Sequence, residues 1–95
     1  MTIKYKLSQQ AKEDLKAIYE YGLYRWGEQQ ADKYFYAFFE AFSTISEQPE
    51  AYQSVEHIKK GYRRCVCGVD SIYFRQVNNQ VEIMSIIGNQ DVDGL

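Results

Sequence analysis

Between positions 59 and 75 the chain carries Lys59, Lys60, Arg63, Arg64 and Arg75 against a single acid, Asp70. Over the whole sequence eleven Lys and Arg stand against thirteen Asp and Glu, a formal net charge of −2. The segment is therefore a local concentration of positive charge in a mildly acidic protein. An arginine presents a flat, forked set of donors that can hold a carboxylate by two bonds at once. Such a cluster suits the acidic groups of a partner. Solvated charges along a strand edge, which discourage edge-to-edge aggregation, would produce the same composition. Both readings stand at this level. Binding to a nucleic-acid backbone by bulk charge is not expected, because proteins that work that way are strongly basic.

Other residue types give little chemistry. Metal-free RNA cleavage needs a base for the 2′-hydroxyl, an acid for the leaving oxygen and cations for the phosphate. The one histidine, His57, falls in a stretch that reads as a loop, without an evident partner. Tyr62 and Tyr73 could serve as acids only after strong tuning, since a free phenol titrates near pH 10. With nine tyrosines in the chain, packing is the ordinary role for any one of them. Cys65 and Cys67 are one residue apart, which is neither a metal knuckle nor a redox pair. On a strand their Cα atoms would lie roughly 6.5–7 Å apart, at the limit of disulfide reach. They read as free, partly buried thiols of a reducing compartment. Asp91 and Asp93 read as a solvated acidic end. No Gly-rich phosphate loop, nucleophile elbow or metal-ligand spacing occurs. No cofactor and no catalytic residue are expected.

These side chains must be placed by a single small domain spanning residues 1–95. Hydrophobic residues are 45% and charged residues 25%, the mixture of an ordinary globular chain rather than a disordered one. Apolar runs are too short to span a membrane, and MTIKYKLSQQ has no apolar signal segment, so a cytoplasmic location is expected. Aromatics reach 16%, more than one small core readily absorbs, which points to some rings on a surface that a partner covers.

Residues 2–7 alternate, with Ile3, Tyr5 and Leu7 on one face, as a half-buried strand does. Ser8 is placed to cap a helix. Ala11, Leu15, Ile18, Gly22 and Trp26 then recur at three- and four-residue steps, a helix of about five turns. Gly27 fits a left-handed helix end. A second helix spans about Glu28 to Glu47, with Ala31, Tyr34, Phe35, Phe38, Phe42 and Ile45 in its stripe. So short a connection makes the pair an antiparallel hairpin. Pro49 closes the second helix. Residues 50–60 read as a loop. Strands follow at 61–67, 71–76 and 81–87, with Asn78-Asn79 as a hairpin turn, since Asn tolerates positive φ. The rest, from Gly88, is a polar tail.

The fold class is thus α+β: an N-terminal strand, an antiparallel helical hairpin and a three-stranded antiparallel meander, with the helices on one face of the sheet. Strict alternation sets Ile72 and Phe74 opposite Tyr73, and Met84 and Ile86 opposite Ile83 and Ile87. Both faces then carry apolar groups. The uncovered face becomes an exposed apolar surface or a partner's site. Alternation also separates Arg63 from Arg64, so one of the two belongs on the helix side or at its edge.

Taken in order, Ala11, Asp14-Leu15 and Ile18, Trp26-Gly27 with Gln30-Ala31 and Tyr34, Pro49, Gly61-Tyr62-Arg63-Arg64, Gly68, Ile72-Tyr73-Phe74-Arg75 and Ile86-Ile87-Gly88-Asn89-Gln90-Asp91 resemble ParE-type toxins of bacterial type II toxin–antitoxin modules, within the wider ParE/RelE superfamily. The resemblance covers nearly the whole chain. It implies that the first strand joins the meander in a mixed sheet of four strands. It implies a toxin that inhibits DNA gyrase by binding and is neutralised by the flexible C-terminal segment of a cognate antitoxin, in a hetero-oligomer. RelE-like relatives imply the alternative, a ribosome-dependent mRNA endoribonuclease; a non-toxic antitoxin-binding member is the third possibility. Contacts to antitoxin or target are expected at Arg63, Arg64, Tyr73, Arg75 and Asp91, and structural roles at Trp26, Gly27, Pro49, Gly61 and Tyr62. Two departures stand out: Val69-Asp70 where Ser-His is frequent, and Asn89 where a basic residue is frequent. Both remove positive charge from near the end of the sheet.

Overall fold

The computed structural model describes residues 5–88. Positions 2–4 of the expected first strand, and the tail with Asn89, Asp91 and Asp93, lie outside them. The elements are β1 (Tyr5–Leu7), α1 (Gln9–Trp26), α2 (Glu28–Glu47), a 3₁₀ turn (Pro49–Ala51), β2 (Gln53–Ser54), β3 (Arg63–Cys67), β4 (Asp70–Val77) and β5 (Gln80–Gly88). The α+β class, the helical hairpin and the meander are as the patterning requires.

Ser8 begins α1. Its Oγ accepts the Ala11 N–H at 3.0 Å and donates to the Met84 carbonyl at 2.8 Å. One residue thus caps the helix and ties it to β5. The helices join through Gly27 alone. Its N–H donates to the Leu23 carbonyl, and its own carbonyl accepts from Ala31 N. With φ 91° and ψ 172° it is not in the left-handed helical region expected of it. It occupies the positive-φ extended region that is essentially open only to glycine. A one-residue link must end one helix and start the next, and ψ near 180° turns the carbonyl toward the new helix. Across the hairpin the Tyr19 hydroxyl donates to Asp32 at 2.5 Å, and this bond, ahead of burial, pushes the Tyr19 phenol up to about 12.

Among the described residues the sheet has five strands rather than four, in the order β1-β5-β4-β3-β2. β1 lies parallel to β5, with Tyr5 beside Val81 and Leu7 beside Ile83; the other pairs are antiparallel. β2 falls within the stretch expected to be loop. Both of its residues are exposed and polar, so no burial pattern betrays it. It pairs Gln53 with Arg64 and Ser54 with Arg63. The Asn78-Asn79 turn has φ of 53° and 63° at its two residues. Positive φ at both central positions is the type I′ geometry that matches strand twist.

One irregularity changes the expected faces. Tyr73 pairs with Ser85 but Phe74 pairs with Ile83, so Met84 is an extra, bulged residue in β5. A bulge shifts the alternation by one. Ile86 therefore joins Val81 and Ile83 on the helix side instead of opposing Ile83. With Ala11, Leu15, Phe38, Phe42, Ile45, Ile72 and Phe74 they form the core. The opposite face keeps Tyr73, Val66 and Ile87 among polar groups, and is less apolar than strict alternation implies. Trp26, expected in the buried stripe of α1, is 49% exposed at the helix end.

Candidate functional site

The face turned away from the helices brings together three of the expected residues. Arg64 sits directly across from Tyr73 in the β3–β4 pairing, and Arg75 is the next residue of β4 on the same face. Arg64 Nε donates to Ser71 Oγ at 2.9 Å, which orients the guanidinium. Its two terminal nitrogens have no hydrogen bond or ion pair among the described residues. Arg75 is engaged differently. Its Nε and Nη2 reach Glu82 Oε1 at 3.0 and 2.9 Å, with Lys6 Nζ 3.9 Å from the other oxygen of the same carboxylate. The register Lys6–Glu82–Arg75 across β1, β5 and β4 makes this a ladder of alternating charge. Arg75 thus offers a cation already shared with an internal acid, while Arg64 has no such acid among the described residues. Tyr73 is 7% exposed at the centre of this face.

Arg63 does not belong with them. It pairs with Phe74, on the helix side, and its Nη1 donates to the Tyr52 carbonyl at 2.7 Å. It ties the connection after α2 to the sheet, and it is the arginine that alternation places on the helix side. Lys59 lies 5.5 Å above the Tyr62 ring. Tyr62 closes the 55–62 turn through its backbone, whose carbonyl accepts from Val55 N, and Gly61 has φ 81°. Pro49 is buried at the start of the 3₁₀ turn. Asp91 lies outside the described residues.

Asp70, noted above for removing positive charge, turns inward. It is 8% exposed, and Tyr34 Oη donates to its Oδ2 at 2.6 Å. The same hydroxyl lies 2.9 Å from the Cys67 carbonyl and accepts from Val69 N at 3.2 Å. A phenol has one proton, and the shorter contact to a carboxylate claims it. Burial first, and the bond to Asp70 second, raise the Tyr34 phenol well above its ordinary value. Gly68 makes this possible. Its φ is 61°, and a Cβ there would come within 2.5 Å of Tyr34 Cε1. Cys65 and Cys67 point to the helix side at half-burial, unbridged, and burial raises both thiols.

A second feature escaped the sequence reading. A groove of about 490 Å³ opens between α1, the Tyr34 side of α2 and the ends of β4 and β5. Asp14, Ile18 and Tyr21 line it from α1, with Trp26, Tyr34, Asp70 and Ile86 around them. Asp14 Oδ2 accepts the Ile86 N–H at 2.9 Å. That N–H lies on the edge of β5 beyond the three residues covered by β1, so Asp14 and Ser8 together complete an edge that the short strand leaves open. The signal was present in principle: residues 14, 18 and 21 recur at helical spacing beside the core stripe.

A family model described as "ParE toxin of type II toxin-antitoxin system, parDE" matches residues 5–92. Toxin ParE1 of Caulobacter vibrioides is 37% identical over 83 residues, covering 87% of this chain and 85% of that protein. Toxin ParE1 of Mycobacterium tuberculosis is 25% identical over 95 residues, covering 98% and 97%. A solved structure described as "Chromosomal ParDE TA system from P. aeruginosa" superposes with a TM-score of 0.80 at 20% identity, over 90% of this chain and 95% of that one.

Proposed function

Because the chain belongs to the ParE toxin family of type II toxin–antitoxin systems, we propose that it arrests growth by binding DNA gyrase, without chemistry of its own, and that a cognate antitoxin silences it by covering the Arg64–Tyr73–Arg75 face. The observation that carries the second half is Arg64, oriented by Ser71 with no acid on its terminal nitrogens among the described residues, across from a central tyrosine and beside a second arginine. Asp91 belongs to the same proposal by sequence alone. An antitoxin segment that is disordered when free gains a large buried area there and loses free energy in ordering. The groups best placed to move protons do not favour catalysis. Tyr34 and Tyr19 hold their protons more tightly than a free phenol, and His57 is exposed in the 55–62 turn rather than beside Tyr73.

Two measurements test this reading. In a supercoiling assay the purified chain is expected to inhibit gyrase, and the antitoxin encoded beside it to restore activity. Cleavage of ribosome-bound mRNA, abolished by changing Tyr73 or Arg75, would place the protein in the RelE-like class instead. By calorimetry, Arg64→Ala or Arg75→Ala should weaken antitoxin binding at least tenfold, since removing one partner of a desolvated charge pair costs roughly 2–5 kcal/mol. Lys12→Ala and Lys16→Ala, on the polar face of α1, should do little. Equal effects at all four positions would refute the site.

A further inference from the structure

The groove beside α1 has an unusual combination of linings. Trp26 stands nearly perpendicular to Tyr21 (centroids 6.0 Å apart, 89°) and to Tyr34 (6.3 Å, 80°). Tyr21 is 56% exposed and Trp26 49%, so much of this aromatic surface faces solvent. Two carboxylates, Asp14 and Asp70, line the same groove, and none of its lining residues is a lysine or arginine. Asp14 accepts from Gln10 Nε2 and from Ile86 N, and Asp70 from Tyr34 Oη. Every one of these donors is neutral. Among the described residues no cation is paired with either acid; the ion pairs there are those of Glu82, on the opposite face.

We infer that this groove receives an arginine side chain carried on an apolar stretch of a partner polypeptide. A guanidinium is flat and weakly hydrated; it can stack on the exposed rings and donate in its plane to a carboxylate. A lysine ammonium, compact and strongly hydrated, loses more on entering an aromatic-lined site. Asn89–Leu95 contains two aspartates and neither lysine nor arginine, so that segment supplies no such side chain. The partner is the antitoxin, so the inference rests on the reading above and adds to it. The antitoxin must then present acids to Arg64 and Arg75 and an arginine to this groove. That pairing of opposite charges at two separate places discriminates against a segment bound in the wrong direction.

Trp26 is the single tryptophan of the chain, so its fluorescence reports on the groove directly. The probes are Ac-Leu-Arg-Leu-NH₂ and the same tripeptide with citrulline, which keeps the shape of arginine and removes its charge. The toxin alone is titrated with each. The arginine peptide should shift Trp26 emission with at least tenfold tighter binding than the citrulline peptide. Asp14→Asn and Asp70→Asn, which keep an amide oxygen for the internal bonds, should each shrink that preference. Equal binding of the two peptides, no response up to about 10 mM, well past the millimolar range of weak contacts, or a preference untouched by both substitutions would overturn the inference. None of these outcomes bears on the Arg64 face, which is tested by the calorimetry above. Failure there would leave the arginine preference of the groove intact.

Discussion

Removing one oxygen atom, by Tyr34→Phe, isolates the contact that holds α2 to the β3–β4 turn. The ring itself stays. Its edge contacts with Phe38 at 4.9 Å and Trp26 at 6.3 Å are those of a phenyl group as much as a phenol. Three interactions of the hydroxyl are lost, and they are unequal. Val69 N is exposed and can bond to water instead. The Cys67 carbonyl, at 2.9 Å, competes for a proton already committed to Asp70. The loss that matters is the 2.6 Å bond to a buried carboxylate. Hydrogen bonds to charged groups contribute about 1.5–3 kcal/mol, so the variant should lose about 2 kcal/mol. For a domain of this size that corresponds to a fall in Tm of roughly 8–16 °C. Urea denaturation followed by circular dichroism gives the free energy. Combining the change with Asp70→Asn in a double-mutant cycle gives the coupling, which should exceed about 1 kcal/mol for groups in direct contact. A loss below about 0.5 kcal/mol, or strict additivity of the two changes, would refute the assignment of Asp70 as the partner that matters.

Three further outcomes follow from the same geometry. Gly68→Ala should destabilise by more than the roughly 1–2 kcal/mol of left-handed backbone strain, because its Cβ meets the Tyr34 ring; in a Tyr34→Ala background the excess should vanish, as measured by urea midpoints. Asp14→Ala should cost about 1–3 kcal/mol by orphaning the Ile86 N–H at the edge of β5, whereas Asp14→Asn should recover most of it. Tyr34 keeps its proton in the fold after an unfolded chain would lose it near pH 10. Its contribution is complete below that pH and is lost as pH rises further. The urea midpoint should therefore fall between about pH 9.5 and 11, and fall less in Tyr34→Phe.

Local chemistry marked the joints of this fold well. Ser8, Gly27, Pro49 and the Asn78-Asn79 pair each terminate or turn the chain for reasons carried by a single side chain, and each boundary lies where that chemistry puts it. Features that depend on pairing were hidden. β2 has two exposed residues and no periodicity to read. The bulge at Met84 left only a faint trace, a three-residue gap between Ile83 and Ile86 where a regular strand would have two. Asp70 was read for its charge, whereas its position is decided by a tyrosine 36 residues earlier. The arginines divided as alternation required, Arg63 inward and Arg64 outward. That Glu82 already engages Arg75 depends on a register between two strands, which no single segment displays.

The parallel pairing of the first strand with the last has a consequence in time. Ser8 hydrogen-bonds to Met84, 76 residues later, and among the described residues β1 pairs with β5 alone. During synthesis at 5–20 residues per second, the beginning of the chain waits about 4–15 s for the segment that will hold it. Until then the helical hairpin has only β3 and β4 to lay its apolar side against, and Asp14 has no strand edge to complete. The sheet is completed, with Glu82 beside Arg75 and the groove at its corner, only as the last strand is made. A chain that stops short of residue 80 lacks β5, and with it the Glu82 carboxylate beside Arg75 and the Ile86 wall of the groove, so both surfaces are completed together and last.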